Sequence, residues 1–168
     1  MMQTEETTSA HSSDTAHSEQ STDPLETALG ALHSLQLKHS HMSASVASSL
    51  GIAATDLRAL LFIASADGVT PKQTGQFMQL SSGAITNLVD RLVAAGFVTR
   101  EPNPKDRRSL MVHISPAGVA AVDKVGRLYR RSLVGSVPRE HLESLAAAFD
   151  AIGDSLTQSA EEEFDTER

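Results

Sequence analysis

Cysteine and tryptophan are both absent from the 168 residues. Without thiols there is no disulfide framework, no catalytic cysteine, no thiolate zinc site and no thiol redox sensor. Aromatic side chains make up 4% of the chain, so any core has to be mostly aliphatic. No apolar run reaches the roughly 18–20 residues that span a bilayer. The N-terminus, MMQTEETTSAHSSD, is polar and acidic where a secretory leader is basic and then apolar. A Gly-rich phosphate loop, an HExxH sequence, a Ser-His-Asp context and a carboxylate pair in a plausible cleft are also missing. These absences predict a cytoplasmic protein that is not an enzyme and needs no cofactor. At roughly 150 residues per domain, the length predicts one domain with tails.

The net charge of −7 is unevenly distributed. Residues 1–22 hold Glu5, Glu6, Asp14 and Glu19 with no Lys or Arg, and residues 161–168 hold five acids against Arg168. Between them, residues 81–131 carry nine cations against Asp90, Glu101, Asp106 and Asp123. A basic segment inside an acidic chain is the electrostatic footprint of a polyanionic partner. A solvated helix face is the plainer alternative.

Residues 1–22 are rich in Ser, Thr, Glu and His and lack apolar periodicity, so ordering them is not offset by burial. A disordered acidic tail is expected there. Asp23 and Pro24 supply a cap and a first helical residue, and Leu25, Leu29, Leu32 and Leu35 follow at helical spacing. This helix should run to the serines before Gly51. Thr55 is expected to cap a second helix that Asp67 and Gly68 end, and Thr70-Pro71 to start a short third helix through Met78.

From Ser81 as N-cap, Ile85, Leu88, Val89 and Leu92 line one side of a fourth helix, while Ser82, Thr86, Asn87, Asp90 and Arg91 line the other. Short hydrogen-bonding side chains at the N-terminal end of a helix can reach base edges without filling the major groove. Two short helices, a tight turn and such a helix predict a helix-turn-helix, although an ordinary amphipathic surface helix shares the period. Phe97–Arg100 then reads as a strand, and Leu110, Val112 and Ile114 alternate along a returning one. The loop between them, Glu101 to Ser109, holds two prolines, Asn103 and the cations Lys105, Arg107 and Arg108. A stiff basic hairpin of this kind can insert a guanidinium into a narrow minor groove. Asp106 cannot favourably meet phosphate, so it should either orient an arginine or accept backbone amides.

The stretch LSSGAITNLVDRLVAAGFVTREPNPKDRRSLMVHISPAG, Leu80 to Gly118, resembles the MarR family of winged-helix transcription regulators. Asp106-x-Arg108 and Ser115-Pro116-Ala117-Gly118 match the family's wing signature in kind and spacing. Asn87 departs from it, standing where many relatives carry a longer cation. The resemblance implies a homodimer on a pseudopalindromic operator, with Arg108 probing the minor groove and Asp106 supporting the wing. Ser81, Ser82, Gly83, Thr86, Asn87, Arg91, Lys105 and Arg107 complete the candidate set facing DNA. It also implies a small, often aromatic or phenolic effector between dimer helices and reading head, for which His33, Leu37, His41, Arg58 and Phe62 are the candidate lining.

Two further apolar patterns lie outside the head. One runs from Ser115-Pro116 through Val119, Val122, Val125 and Tyr129, and one from Pro138 through Leu142, Leu145, Phe149, Ile152 and Leu156. With the first helix they offer more apolar surface than a small head covers, so a second copy is expected to pair with them; a monomeric helical cap is the alternative. Arg127, Arg130 and Arg131 could touch flanking phosphates, face solvent or form ion pairs. His33, His39 and His41 lack the spacing and companions of a tetrahedral metal site. The expected fold is therefore mainly α with a small β wing. A single domain should cover residues 23–160, with a winged helix-turn-helix head at about 52–114, dimerisation helices at about 23–50 and 116–160, and a second acidic tail at 161–168. The expected function is DNA-binding transcription regulation, more simply repression because a dimer on promoter DNA obstructs polymerase. The alternative is a winged-helix module that binds proteins without sequence-specific DNA contact.

Overall fold

The computed structural model describes residues 23–106 and 108–165. The expected N-terminal tail, the wing residue Arg107 and the last three residues lie outside them. The chain divides into two compact units, the first ending at Ser40 and the second beginning at His41. Helix α1, Pro24–Ser49, starts as expected: Asp23 Oδ1 accepts from the Leu25 amide at 2.9 Å, satisfying one orphan donor of the first turn. In the first unit Leu25, Leu29, Leu35 and Leu37 are exposed.

The second unit continues with α2 (Ala54–Ala64), α3 (Pro71–Met78), α4 (Ser82–Ala94), β1 (Val98–Pro102), β2 (Leu110–Ile114), α5 (Pro116–Ser136) and α6 (Leu142–Asp165). The architecture is mainly helical with one two-stranded antiparallel hairpin, as expected. Thr55 does not cap α2. The N-cap is Ala53, which makes no side-chain bond, and Thr55 lies within the first turn. At α3 the cap is complete: Gln73 N donates to Thr70 Oγ1 and Thr70 N to Gln73 Oε1, a reciprocal capping box with Pro71 behind it. Pro138 does not start α6 directly, because a single 3₁₀ turn, Arg139–His141, intervenes. β1 runs two residues further into the wing than expected, to Pro102 opposite Leu110. A two-stranded sheet has two edges, so a proline lacking a donor is tolerated there.

The main core gathers Leu60 and Ile63 of α2, Met78 of α3, Ile85, Leu88, Val89 and Leu92 of α4, Val98, Val112 and Ala121. The four expected apolar positions of α4 are all buried, which packs the inner face of that helix into the core. A smaller cluster joins Val46 and Ala47 of α1 to Leu57 and Val125. Leu110 differs from expectation. It lies half-exposed at the far end of β2, beyond the reach of the core, whereas Val112 is fully buried.

The wing base is tied down twice. Val69, in the link between α2 and α3, exchanges both backbone hydrogen bonds with Val112 of β2, at 3.1 and 2.7 Å. Ser115 donates its hydroxyl to the Gly96 carbonyl at 2.6 Å and accepts from the Gly118 amide at 3.1 Å, so one side chain joins the end of α4 to the start of α5. Gly118 has no room for a Cβ, which would collide with the Phe97 carbonyl and Ile114.

Candidate nucleic-acid interface

The α3–α4 turn brings a small polar surface to the outside. Ser81 caps α4, its Oγ accepting from the Ala84 amide at 3.4 Å. Ser82, Gly83, Thr86 and Asn87 then lie exposed on the side opposite the buried aliphatic row. Thr86 donates its hydroxyl to the Ser82 carbonyl at 2.8 Å, so what it offers outward is an oxygen acceptor and a methyl group.

Arg91 is engaged differently from its neighbours. Its Nε donates to Asp56 Oδ2 at 2.9 Å and a terminal nitrogen to Oδ1 at 2.6 Å, a bidentate pair reaching back to α2. Asp56 is buried, whereas the Arg91 side chain stays 53% exposed. Hydrogen bonding to Asp56 holds the guanidinium pKa above its ordinary value, outweighing desolvation. The preceding residue, Asp90, pairs with Arg100 of β1 at 2.6 Å. Successive residues of opposite sign thus fasten α4 to α2 on one side and to the wing on the other.

The wing tip is built from short hydrogen bonds. Asn103 Oδ1 accepts from the Lys105 amide at 2.9 Å, and Asn103 Nδ2 donates to Ser109 Oγ at 2.9 Å. Asp106 Oδ1 accepts from the Arg108 amide at 3.0 Å. Of the two tasks foreseen for Asp106, the structure shows the acceptance of a backbone amide. Two side-chain turns of this kind fold the tip back on itself, leaving Lys105 and Arg108 exposed.

The candidate effector residues separate between the units. His33 and Leu37 belong to the first; His41, Arg58 and Phe62 belong to the second. Within the second, Phe62 stacks on Phe77 with centroids 4.1 Å apart and planes inclined by 10°, and the Arg58 guanidinium carbon lies 5.5 Å from the centre of the Phe77 ring. Phe77 is the member that sequence reasoning missed. It lies on α3 beside the buried Met78, and is itself 46% exposed. Among the described residues no group of three or more His, Cys, Asp or Glu could hold a metal ion. No single helix there is long and apolar enough to cross a membrane.

Residues 50–109, from the start of the head to the end of the wing loop, match the profile of the MarR family. The multiple antibiotic resistance protein MarR of Escherichia coli (strain K12) is 30% identical over 102 residues, spanning 61% of this chain and 71% of that protein. The chain belongs to the MarR family. MarR of Salmonella typhimurium is 35% identical over 77 residues, 46% of this chain, and the matching span is about half, 54%, of that relative's length. A mutant of E. coli MarR solved in complex with operator DNA superposes with a TM-score of 0.54 at 28% identity, over 74% of this chain and 92% of that one.

Proposed function

We propose that the chain is a homodimeric transcription repressor that binds a pseudopalindromic operator in the cytoplasm and is released by a small aromatic or phenolic effector. The observation that carries this is the pairing, on one packed unit, of the short polar face of α4 with the cationic wing tip. Ser82, Gly83, Thr86 and Asn87 offer groups sized for base edges. Arg108 and Lys105 offer charge for the adjacent minor groove and phosphates. Ser81 and Asp106 hold these two surfaces in shape, and Arg107 is proposed to add to the charge of the wing.

Dimerisation is supported by apolar side chains that the single chain leaves uncovered: Val119, Leu133 and Val134 on α5, and Phe149, Ile152 and Leu156 on α6. A twofold pair would set two α4 helices about one DNA turn, roughly 34 Å, apart. The effector proposal rests on the cation and stacked rings of Arg58, Phe62 and Phe77 in the second unit.

The test is fluorescence anisotropy of the full chain on duplex DNA from its own upstream region and on scrambled duplex, across a salt series. Preference for the native fragment by about a thousandfold is expected, with affinity falling steeply as salt rises. Arg108→Ala should weaken binding by about 1–3 kcal/mol. Absence of binding to either duplex at moderate salt would overturn the proposal and favour a protein partner for the same surfaces.

A further inference from the structure

Four backbone positions in the second unit adopt left-handed φ, and three of them are glycines: Gly51 (φ 71°), Gly68 (φ 87°) and Gly96 (φ 77°). The fourth is Gln79, with φ 55° and ψ 42°, at the end of α3 and two residues before the cap of α4. It is the only non-glycine residue with positive φ among the described residues. A side chain bearing a Cβ is disfavoured in this conformation, which is why glycine is usual just past a helix end. Gln79 gains nothing in return from the fold. Its amide bonds to the Gln76 and Gly75 carbonyls are ones that a glycine would make equally. Its side chain is exposed, and its carboxamide makes no hydrogen bond among the described residues. A strained residue whose side chain is idle inside the fold points to an external partner.

Gln79 borders a groove of about 490 Å³ between α3 and α4, together with Lys72, Gln76, Ser82 and Thr86. Ser82 and Thr86 are the residues proposed above to face base edges. Lys72 supplies a phosphate-seeking charge on the same rim. A carboxamide carries one acceptor and one donor at fixed separation, the complement of adenine N6 and N7 in the major groove. A carboxamide can also donate to a phosphate oxygen, but that contact carries no sequence information and its loss would weaken binding to every duplex alike. We infer that Gln79 is a base-reading residue whose carboxamide selects adenine at the outer edge of the sequence covered by α4. This rests on the DNA-binding function proposed above.

The experiment begins with selection of duplexes by the full wild-type chain from a randomised library. Anisotropy on the preferred duplex and on each of its single-base-pair variants follows, for wild type, Gln79→Gly and Gln79→Ala. Wild type is expected to lose about tenfold in affinity when one adenine per half-site is replaced. Both variants should lose that discrimination and keep it at the other positions, and the melting temperature of Gln79→Gly should not fall below wild type. Unchanged base profiles in the variants, or weakening by one factor at every position, would overturn the inference. Loss in Gln79→Gly alone would also overturn it, because Gln79→Ala removes the carboxamide without freeing the backbone. A wild-type chain that enriches no sequence would overturn the DNA-binding function itself, and this inference with it.

Discussion

Arg91 closes a two-point hydrogen bond on the buried carboxylate of Asp56, 35 positions earlier in the chain. The pair links the solvent-facing side of α4 to the first turn of α2, so the orientation of α4 is set on two sides. Its inner face is held by aliphatic packing and its outer face by charge.

Removing the cation should therefore act on the fold as well as on any DNA contact. Arg91→Ala leaves Asp56 buried without its partner and, because solvent screens the half-exposed guanidinium, is expected to lower unfolding free energy by about 1–2 kcal/mol. Asp56→Asn, which keeps an acceptor and removes the charge, should lose less. Urea denaturation with an unchanged m-value checks both; equal stability of Arg91→Ala and wild type would show that water replaces the guanidinium.

The wing tip separates shape from charge. Asp106→Asn retains an oxygen able to accept from the Arg108 amide, whereas Asp106→Ala does not. Melting temperatures of both should match wild type, because the tip lies outside the core. DNA affinity should fall by about 1 kcal/mol in the alanine variant and stay near wild type in the asparagine variant. The reverse order in a binding titration would mean that the negative charge, and not the turn, is what matters.

Gly118→Ala places a methyl group against the Phe97 carbonyl and the Ile114 side chain. Neither backbone nor packed strand can yield freely, so a loss of about 1–3 kcal/mol is expected in thermal or urea unfolding. Gly126→Ala, on the same helix with open space around it, is the matched control and should not destabilise.

The uncovered face of α6 gives a test of assembly. Ile152→Glu in combination with Phe149→Glu should convert a dimer to a monomer in light scattering and reduce DNA affinity together with it. A dimer that survives both changes would move the interface away from this face.

Much of the head is legible in sequence because its signals are local. Ser81, the aliphatic row of α4 and the returning strand through Val112 each depend on residues a few positions apart, and the structure places them as expected. What escaped depends on the third dimension. Asp56 reads as an ordinary acid in a first helical turn, and only the folding of α4 against α2 reveals its partner. Thr55 is a better capping residue than Ala53, yet tertiary packing starts α2 one residue before it. Leu110 keeps the alternation of a strand but sits past the end of the core. Phe77 follows helical spacing and still ends half-exposed, stacked on Phe62. Gln79 carries no turn signature at all; its left-handed backbone comes from a helix end that glycine fills elsewhere.

The double backbone bond between Val69 and Val112 makes the inner wing strand an extension of the link that feeds α3. The hairpin cannot swivel at its base without breaking two hydrogen bonds and uncovering Val112. Wing and α4 are thus mounted on one frame, with Ser115 bracing its far corner. The frame acts as a ruler: a surface touched by both is gripped at a separation the fold sets in advance. Adjustment to such a surface must come from moving the frame as a whole, not from flexing within it.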